Sequence, residues 1–269
     1  INNVRKFKGM GPEDTVSEAK TIDMENIASW ADVKPEFLSY KGNVMHRNHP
    51  GQGSSLVYTN TTGRNDIVSA KVARDASYIY FKVQTADVLT SKTDPKWMRL
   101  FIDIDRNKST GWEGYDFIIN RSSPGDSALV EKSQNSWNWE PSGSAAYVVV
   151  GNSLVLKIKR SLLGIEDGKV INLEFKWSDN MQEDGNIMDF YVNGDVAPGS
   201  RFNYVYKVLW TDDQYRFADT PENINHGLKC NLYDGIFDTI PSFFGQNIIN
   251  EVYPETFIIP STAATNFGL

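Results

Sequence analysis

The sequence predicts an all-β, antiparallel β-sandwich with a β-prone extension at its C-terminal end. Three observations predict it. Short runs of β-branched and aromatic residues recur along most of the chain, Gly, Asn, Asp and Ser punctuate them regularly, and helix-like periodicity is confined to short pieces. Many short strands at such spacing require two packed sheets or a barrel, because a single sheet would leave an apolar face in water. A hydrophobic share of 40% and an aromatic share of 12% over 269 residues supply the core for one large β domain.

Residues 1–17 are polar, contain Gly9, Gly11 and Pro12, and read as a linker arriving from an upstream domain. Residues 18–211 carry the sandwich. A short helix-like piece falls around residues 22–30, then 66–75 and 78–85 form a hairpin turned at Asp75-Ala76-Ser77. Strands are expected at 97–104, 115–121 and 128–137. A second hairpin joins 145–150 to 154–159 through Gly151-Asn152. Its alternation places Leu154, Leu156 and Ile158 on one face, with Lys157 and Lys159 towards water. After a helix-like turn at 161–164, strands at 170–177 and 201–210 complete the set. Residues 212–226 are polar, carry Pro221 and read as a second linker; 227–269 are rich in Phe, Ile and Pro but too short to build their own core. The chain opens on Ile1 rather than Met and stops just after an apolar run, so both ends read as cut from something longer.

Charge and composition narrow the function. A formal net charge of -7 and a pI near 5.1 disfavour a nucleic-acid partner, which needs a basic stripe to neutralise phosphates. No apolar stretch is long enough for a membrane span. Cys230 is the single cysteine, so no intrachain disulfide forms, and with three histidines the ligand set for zinc is thin.

The most informative segment is 100–117, Leu-Phe-Ile-Asp-Ile-Asp-Arg-Asn-Lys-Ser-Thr-Gly-Trp-Glu-Gly-Tyr-Asp-Phe. Asp103 and Asp105 end a strand on one face, followed by Asn107, a glycine-bearing turn and Asp116. Oxygen ligands so spaced suit a hard cation such as calcium, and the spacing imitates the first half of an EF-hand loop. Counting Asp103 as the first residue, the bidentate glutamate of such a loop is replaced by Gly114. The alternative is turn chemistry, with the carboxylates accepting backbone N–H groups. Both readings stand at this point.

This pattern, with Thr110-Gly111-Trp112 and Gly114-Tyr115-Asp116-Phe117, resembles the β-sandwich modules of the family 9 carbohydrate-binding and DOMON-like type. The hairpin at 72–81 shares the resemblance, which covers about residues 22–210. The resemblance implies a non-catalytic module that grips polysaccharide or oligosaccharide between aromatic side chains, often with a structural calcium. It further implies a secreted, periplasmic or cell-surface bacterial protein, with an upstream catalytic domain of the same polypeptide degrading xylan or another polysaccharide. Modules of this group have also been recruited to bind haem, for which His46 and His49 are the available axial ligands. At the other end, Gly227-Leu228, Tyr233-Asp234-Gly235, Phe237-Asp238 and Pro241-Ser242-Phe243 resemble the opening of a PA14-type β-domain, of which 227–269 would be a truncated start.

Sugar sites combine aromatic faces with amides, carboxylates and arginine. Trp112 lies in the polar turn, and Trp137 and Trp139 share a face by period two, forming a platform if that face is exposed and ordinary core if it is not. Trp97 and Trp177 read as core. Arg64 and Asp66 either hold hydroxyls or pair with each other, and Asn180 lies in a second polar loop. Two further alternatives are a ligand-free structural spacer and a glycoside hydrolase using paired carboxylates such as Asp103 and Asp116. No nucleophile elbow, His-Glu-x-x-His or phosphate loop is present.

Overall fold

The computed structural model describes residues 15–53, 55, 57–165 and 171–208, with three further strands inside 230–268. The chain divides into two units, Ile1–Gln214 and Tyr215–Leu269.

The first unit is an all-β antiparallel sandwich. Its strands are β1 (Glu36–Leu38), β2 (Arg47–Pro50), β3 (Val57–Asn60), β4 (Ile67–Arg74), β5 (Tyr78–Thr85), β6 (Arg99–Asp103) and β7 (Phe117–Ile119). They continue with β8 (Ala128–Ser133), β9 (Trp139–Val150), β10 (Ser153–Lys159), β11 (Asn172–Asp179), β12 (Asp195–Ala197) and β13 (Tyr204–Lys207). One helical turn, α1 (Asp189–Val192), precedes β12. The path runs β1-β4-β5-β10-β9-β8-β7-β6-β11-β12, with β13 also beside β11 and β2-β3 as a separate hairpin.

Strand β9 turns this path into two layers. Its first half pairs with β8, from Ser133 opposite Trp139 to Ala128 opposite Ala145, and its second half pairs with β10, from Lys157 opposite Ala146 to Ser153 opposite Val150. A register shift between Val130 and Glu131 bends the strand, and Pro141 sits beside that irregularity, where its missing N–H is tolerated.

Period-two alternation then fills the interior. Phe81, Val83, Leu154, Leu156 and Ile158 from one layer meet Leu100, Ile102, Phe117, Ile119, Leu173, Phe175 and Trp177 from the other, with Trp97 beside them. Phe175 lies at the centre of a ring cluster, 5.1 Å from Phe37, 5.5 Å from Phe81 and 5.3 Å from Tyr204. Both outer faces are also partly covered. Ile22, Trp30 and Val33 pack over Ala73, Tyr80 and Val155, anchored by a 3-10 turn at Ile27–Trp30 that Asn26 caps. On the opposite outer face, Trp112, Tyr115, Trp139, Met181 and Phe190 cover Phe101 and Ile118. Every residue of β6 is therefore buried, charged ones included.

Several sequence boundaries are corrected. Val16 packs on the core and Ser17 exchanges hydrogen bonds with Lys34 (Ser17 N to Lys34 O 3.0 Å, Lys34 N to Ser17 Oγ 2.7 Å), so the last residues of the expected first linker belong to the sandwich. The strand expected at 97–104 contracts because Lys96 and Met98 adopt positive φ, 56° and 40°. The strand expected at 128–137 stops at Ser133, since Asn135 and Ser136 turn the chain with φ of 78° and 49°. Trp137 thus sits in a turn, and Trp139 opens β9.

In the second unit, β14 (Cys230–Asp234) is flanked by β15 (Ile248–Val252) and β16 (Phe267–Gly268). Of the PA14-like residues only Tyr233 and Asp234 fall within it; the others, and the second linker at 212–226, lie outside the described residues.

Candidate cation site and aromatic cluster

Strand β6 delivers Asp103 to the outer face directly opposite Glu174 of β11. The loop that follows returns Asp116 to the end of β6, where its Oδ2 accepts from Ile104 N at 2.9 Å. Asp103, Asp105 and Asp116 converge, each offering one oxygen within 4.8 Å of the others. Each carboxylate also commits an oxygen to the protein. Asp103 Oδ2 accepts from Lys108 Nζ at 2.6 Å, and Asp105 Oδ1 accepts from Asn107 N at 2.8 Å. Asp103 Oδ1 is buried without a hydrogen-bond donor among the described residues. A proton, a water or a cation beside it would satisfy such an oxygen.

Lys108 Nζ also lies 2.5 Å from Glu174 Oε2, and Arg106 Nε lies 3.2 Å from Glu174 Oε1. Burial pushes the Asp103 carboxyl above the usual carboxylate range against the pull of Lys108, and burial also raises Asp116, helped by the neighbouring Asp105 and Asp103 charges. Burial works in the same sense on Glu174, yet hydrogen bonds from Lys108 and Asn203 hold it below its ordinary value. Asn107, expected as a fourth ligand, is engaged otherwise: its Oδ1 accepts from Ser109 N at 3.0 Å, a turn-forming bond. Gly114 explains why this loop departs from an EF-hand. It adopts a φ of +94°, and a Cβ there would lie 2.8 Å from Lys108 Cδ and 3.4 Å from Asp103 Oδ2. The site therefore combines turn chemistry with three converging carboxylates.

The three candidate tryptophans come together, but as a small core. Trp112 stands edge-on to Trp137 at 4.4 Å, and Trp137 edge-on to Trp139 at 5.6 Å. Trp112 is 3% exposed and Trp139 7%, so the open two-ring platform that period two suggested does not form. Trp137 alone keeps partial exposure, beside the exposed Gln134, Asn135 and Asn138. A neighbouring loop packs on it: Trp112 Nε1 reaches Gly185 O at 3.4 Å.

Arg64, Asp66 and Asn180 gather at one end of the sandwich, each with a partner the sequence did not indicate. Arg64 Nε donates to Asp179 Oδ2 at 2.9 Å and an Nη reaches Pro95 O at 2.6 Å, so Arg64 pairs with Asp179 and not with Asp66. Asp66 Oδ2 accepts from Gly42 N at 2.8 Å. Asn180 Nδ2 donates to Thr62 O at 2.7 Å. These groups hold loops to one another. His46 and His49 are exposed on and beside the β2-β3 hairpin, His49 5.8 Å from the Tyr58 ring.

Sequence reasoning missed Lys108 and Glu174, which join the acidic site only through cross-strand register, and Lys176. The Lys176 side chain donates to Pro198 O and, at 2.8 Å, to Phe202 O, and lies 5.0 Å from the Phe190 ring centroid. Its alternation with Glu174 marks an outward-facing pair, but the loop covering it is not visible in the strand pattern.

Compared with known proteins, the chain matches no protein-family model and no curated protein. Among the described residues, no helix is long and apolar enough to cross a membrane.

Proposed function

We propose that this chain is a non-catalytic carbohydrate-binding module of a larger secreted bacterial glycoside hydrolase, with calcium held by Asp103, Asp105 and Asp116. The observation that carries the reading is the convergence of those three carboxylates around a buried oxygen that lacks a donor, at the end of an antiparallel sandwich. Hard cations take carboxylate oxygens, and calcium tolerates the irregular geometry of a strand-end loop. Trp137 is the member of the expected aromatic set left accessible for stacking on a sugar ring.

Catalysis by the same carboxylates fits less well. Glycoside hydrolysis places two carboxyl groups on either side of the scissile bond. Here Asp103 is sealed behind Lys108, and the three groups lie side by side. The second reading is a ligand-free spacer, favoured by the burial of Trp112 and Trp139.

Affinity-gel electrophoresis against xylan, β-glucan and mannan, with calcium or with EDTA, tests the proposal. Retardation by a polysaccharide is the expected result. Unretarded migration in every gel, by protein that remains folded, selects the spacer.

A further inference from the structure

The acidic site borders a cavity. A groove of about 550 Å³ opens at the end of the sandwich, and Asp105 and Asp116 form part of its wall. The half-buried Leu162, the buried Ile165 and Ile171, and the exposed Lys132 also line it. Two of the three converging carboxylates thus face both the cation position and an open volume, while Asp103 backs them from the buried side.

Counting oxygens gives this juxtaposition a meaning. Calcium takes six to eight oxygen ligands. With Asp103 Oδ2 donated to by Lys108, Asp105 Oδ1 by Asn107 N and Asp116 Oδ2 by Ile104 N, each carboxylate keeps a second oxygen, that of Asp105 lying 3.5 Å from Thr110 Oγ1. Three oxygens are half of the coordination or less, so the remainder comes from water or from a ligand that replaces water. Charge agrees in sign: Asp103, Asp105, Asp116 and Glu174 are set against Lys108 and Arg106, with Lys132 in the groove wall, which leaves the site net negative.

We propose that calcium here is a direct ligand for sugar, taking a vicinal pair of hydroxyls into the groove while the C–H face of the ring rests on the half-buried Leu162. The inference rests on the calcium reading above and goes beyond it, because the ion becomes the recognition element. Lys132 donates to a further sugar oxygen, and Trp137 lies outside this contact.

The test uses the full chain, a panel of xylohexaose, mannohexaose and laminarihexaose, and calorimetry for both calcium and sugar. Expected are calcium binding by EDTA-treated protein, sugar binding present in calcium and absent in EDTA, and loss of both, at least tenfold, in Asp105→Asn. Lys132→Ala is expected to bind calcium unchanged while losing sugar affinity severalfold, an effect that a merely structural ion would not produce. Melting curves in EDTA separate unfolding from loss of the ligand. Calcium binding together with sugar binding that survives EDTA, or that falls in Trp137→Ala and not in Lys132→Ala, overturns this inference and leaves the module reading standing. Absence of calcium binding overturns both the ion and the groove, and calcium binding without sugar binding by any hexaose overturns the groove alone.

Discussion

Replacing Arg64 with methionine separates a structural role from a ligand-binding one. The Asp179 side chain is fully buried (0% exposed) and its pair with Arg64, 21% exposed, spans 2.9 Å. Removing one member of a buried pair costs about 3–5 kcal/mol, because the remaining charge is left uncompensated. Asp179 keeps the Met98 N–H at 3.0 Å and can take up a proton, which places the expected loss at the lower end, about 3 kcal/mol. For a domain of this size that lowers the melting temperature by roughly 6–12 °C. The loss also depends on pH. Burial already raises the Asp179 carboxyl despite Arg64, and losing the guanidinium raises it further. A carboxyl raised in the folded state contributes stability below its unfolded pKa and loses it as pH rises through the folded value. The deficit of Arg64→Met relative to the parent therefore widens from about pH 4 to pH 7. Urea denaturation at both pH values measures it, and Arg64→Met/Asp179→Asn is expected to recover most of the loss. A deficit below about 1 kcal/mol at pH 7, with no pH dependence, would refute the structural role and return Arg64 to the candidate ligand contacts.

Three further outcomes follow from the packing. Asp195 is buried beside β4, and burial pushes its carboxyl up to about 7 although Ile67 N and Val196 N donate to it; carbon-13 NMR of the side-chain carboxyl is expected to titrate near that value, and a midpoint in the ordinary carboxylate range contradicts it. The stability that Asp195 contributes is correspondingly lost as pH rises towards 7. Gly194 has a φ of +58°, and a Cβ there would lie 1.9 Å from Asp179 O, so Gly194→Ala is expected to cost about 2–5 kcal/mol in denaturant melts, against a neutral result if the turn relaxes freely. Trp139→Ala is expected to lose about 3–5 kcal/mol and Trp137→Ala only about 1–2 kcal/mol, and equal losses would contradict their different burial.

The strands that carry the inner core were legible because their alternation is uninterrupted: Leu154, Leu156 and Ile158 face inward as read, and Trp97 and Trp177 are core. The strands that were not legible are short and lack that pattern. β2 reads Arg-Asn-His-Pro, and β12 has three residues, all buried, so no alternation marks either. At the site, Asp103, Asp105 and Asp116 were legible because they sit at a strand end and on its return. Asn107 was not distinguishable from them, since ligand spacing and turn spacing are the same in sequence. The tryptophans misled for a related reason: polar neighbours suggested exposure, yet a sheet whose outer face is also covered buries Trp112 and Trp139 beneath loops whose polar residues face water. Arg64 found Asp179, far away in sequence, through strand order alone.

The most direct test of the account is a glycan array probed with the chain in calcium and again in EDTA. Binding to a defined set of plant or microbial glycans is predicted, with the EDTA series losing the spots that calcium supports. Folded protein that binds no glycan under either condition would contradict the carbohydrate-binding reading and leave a sandwich that serves only as a spacer.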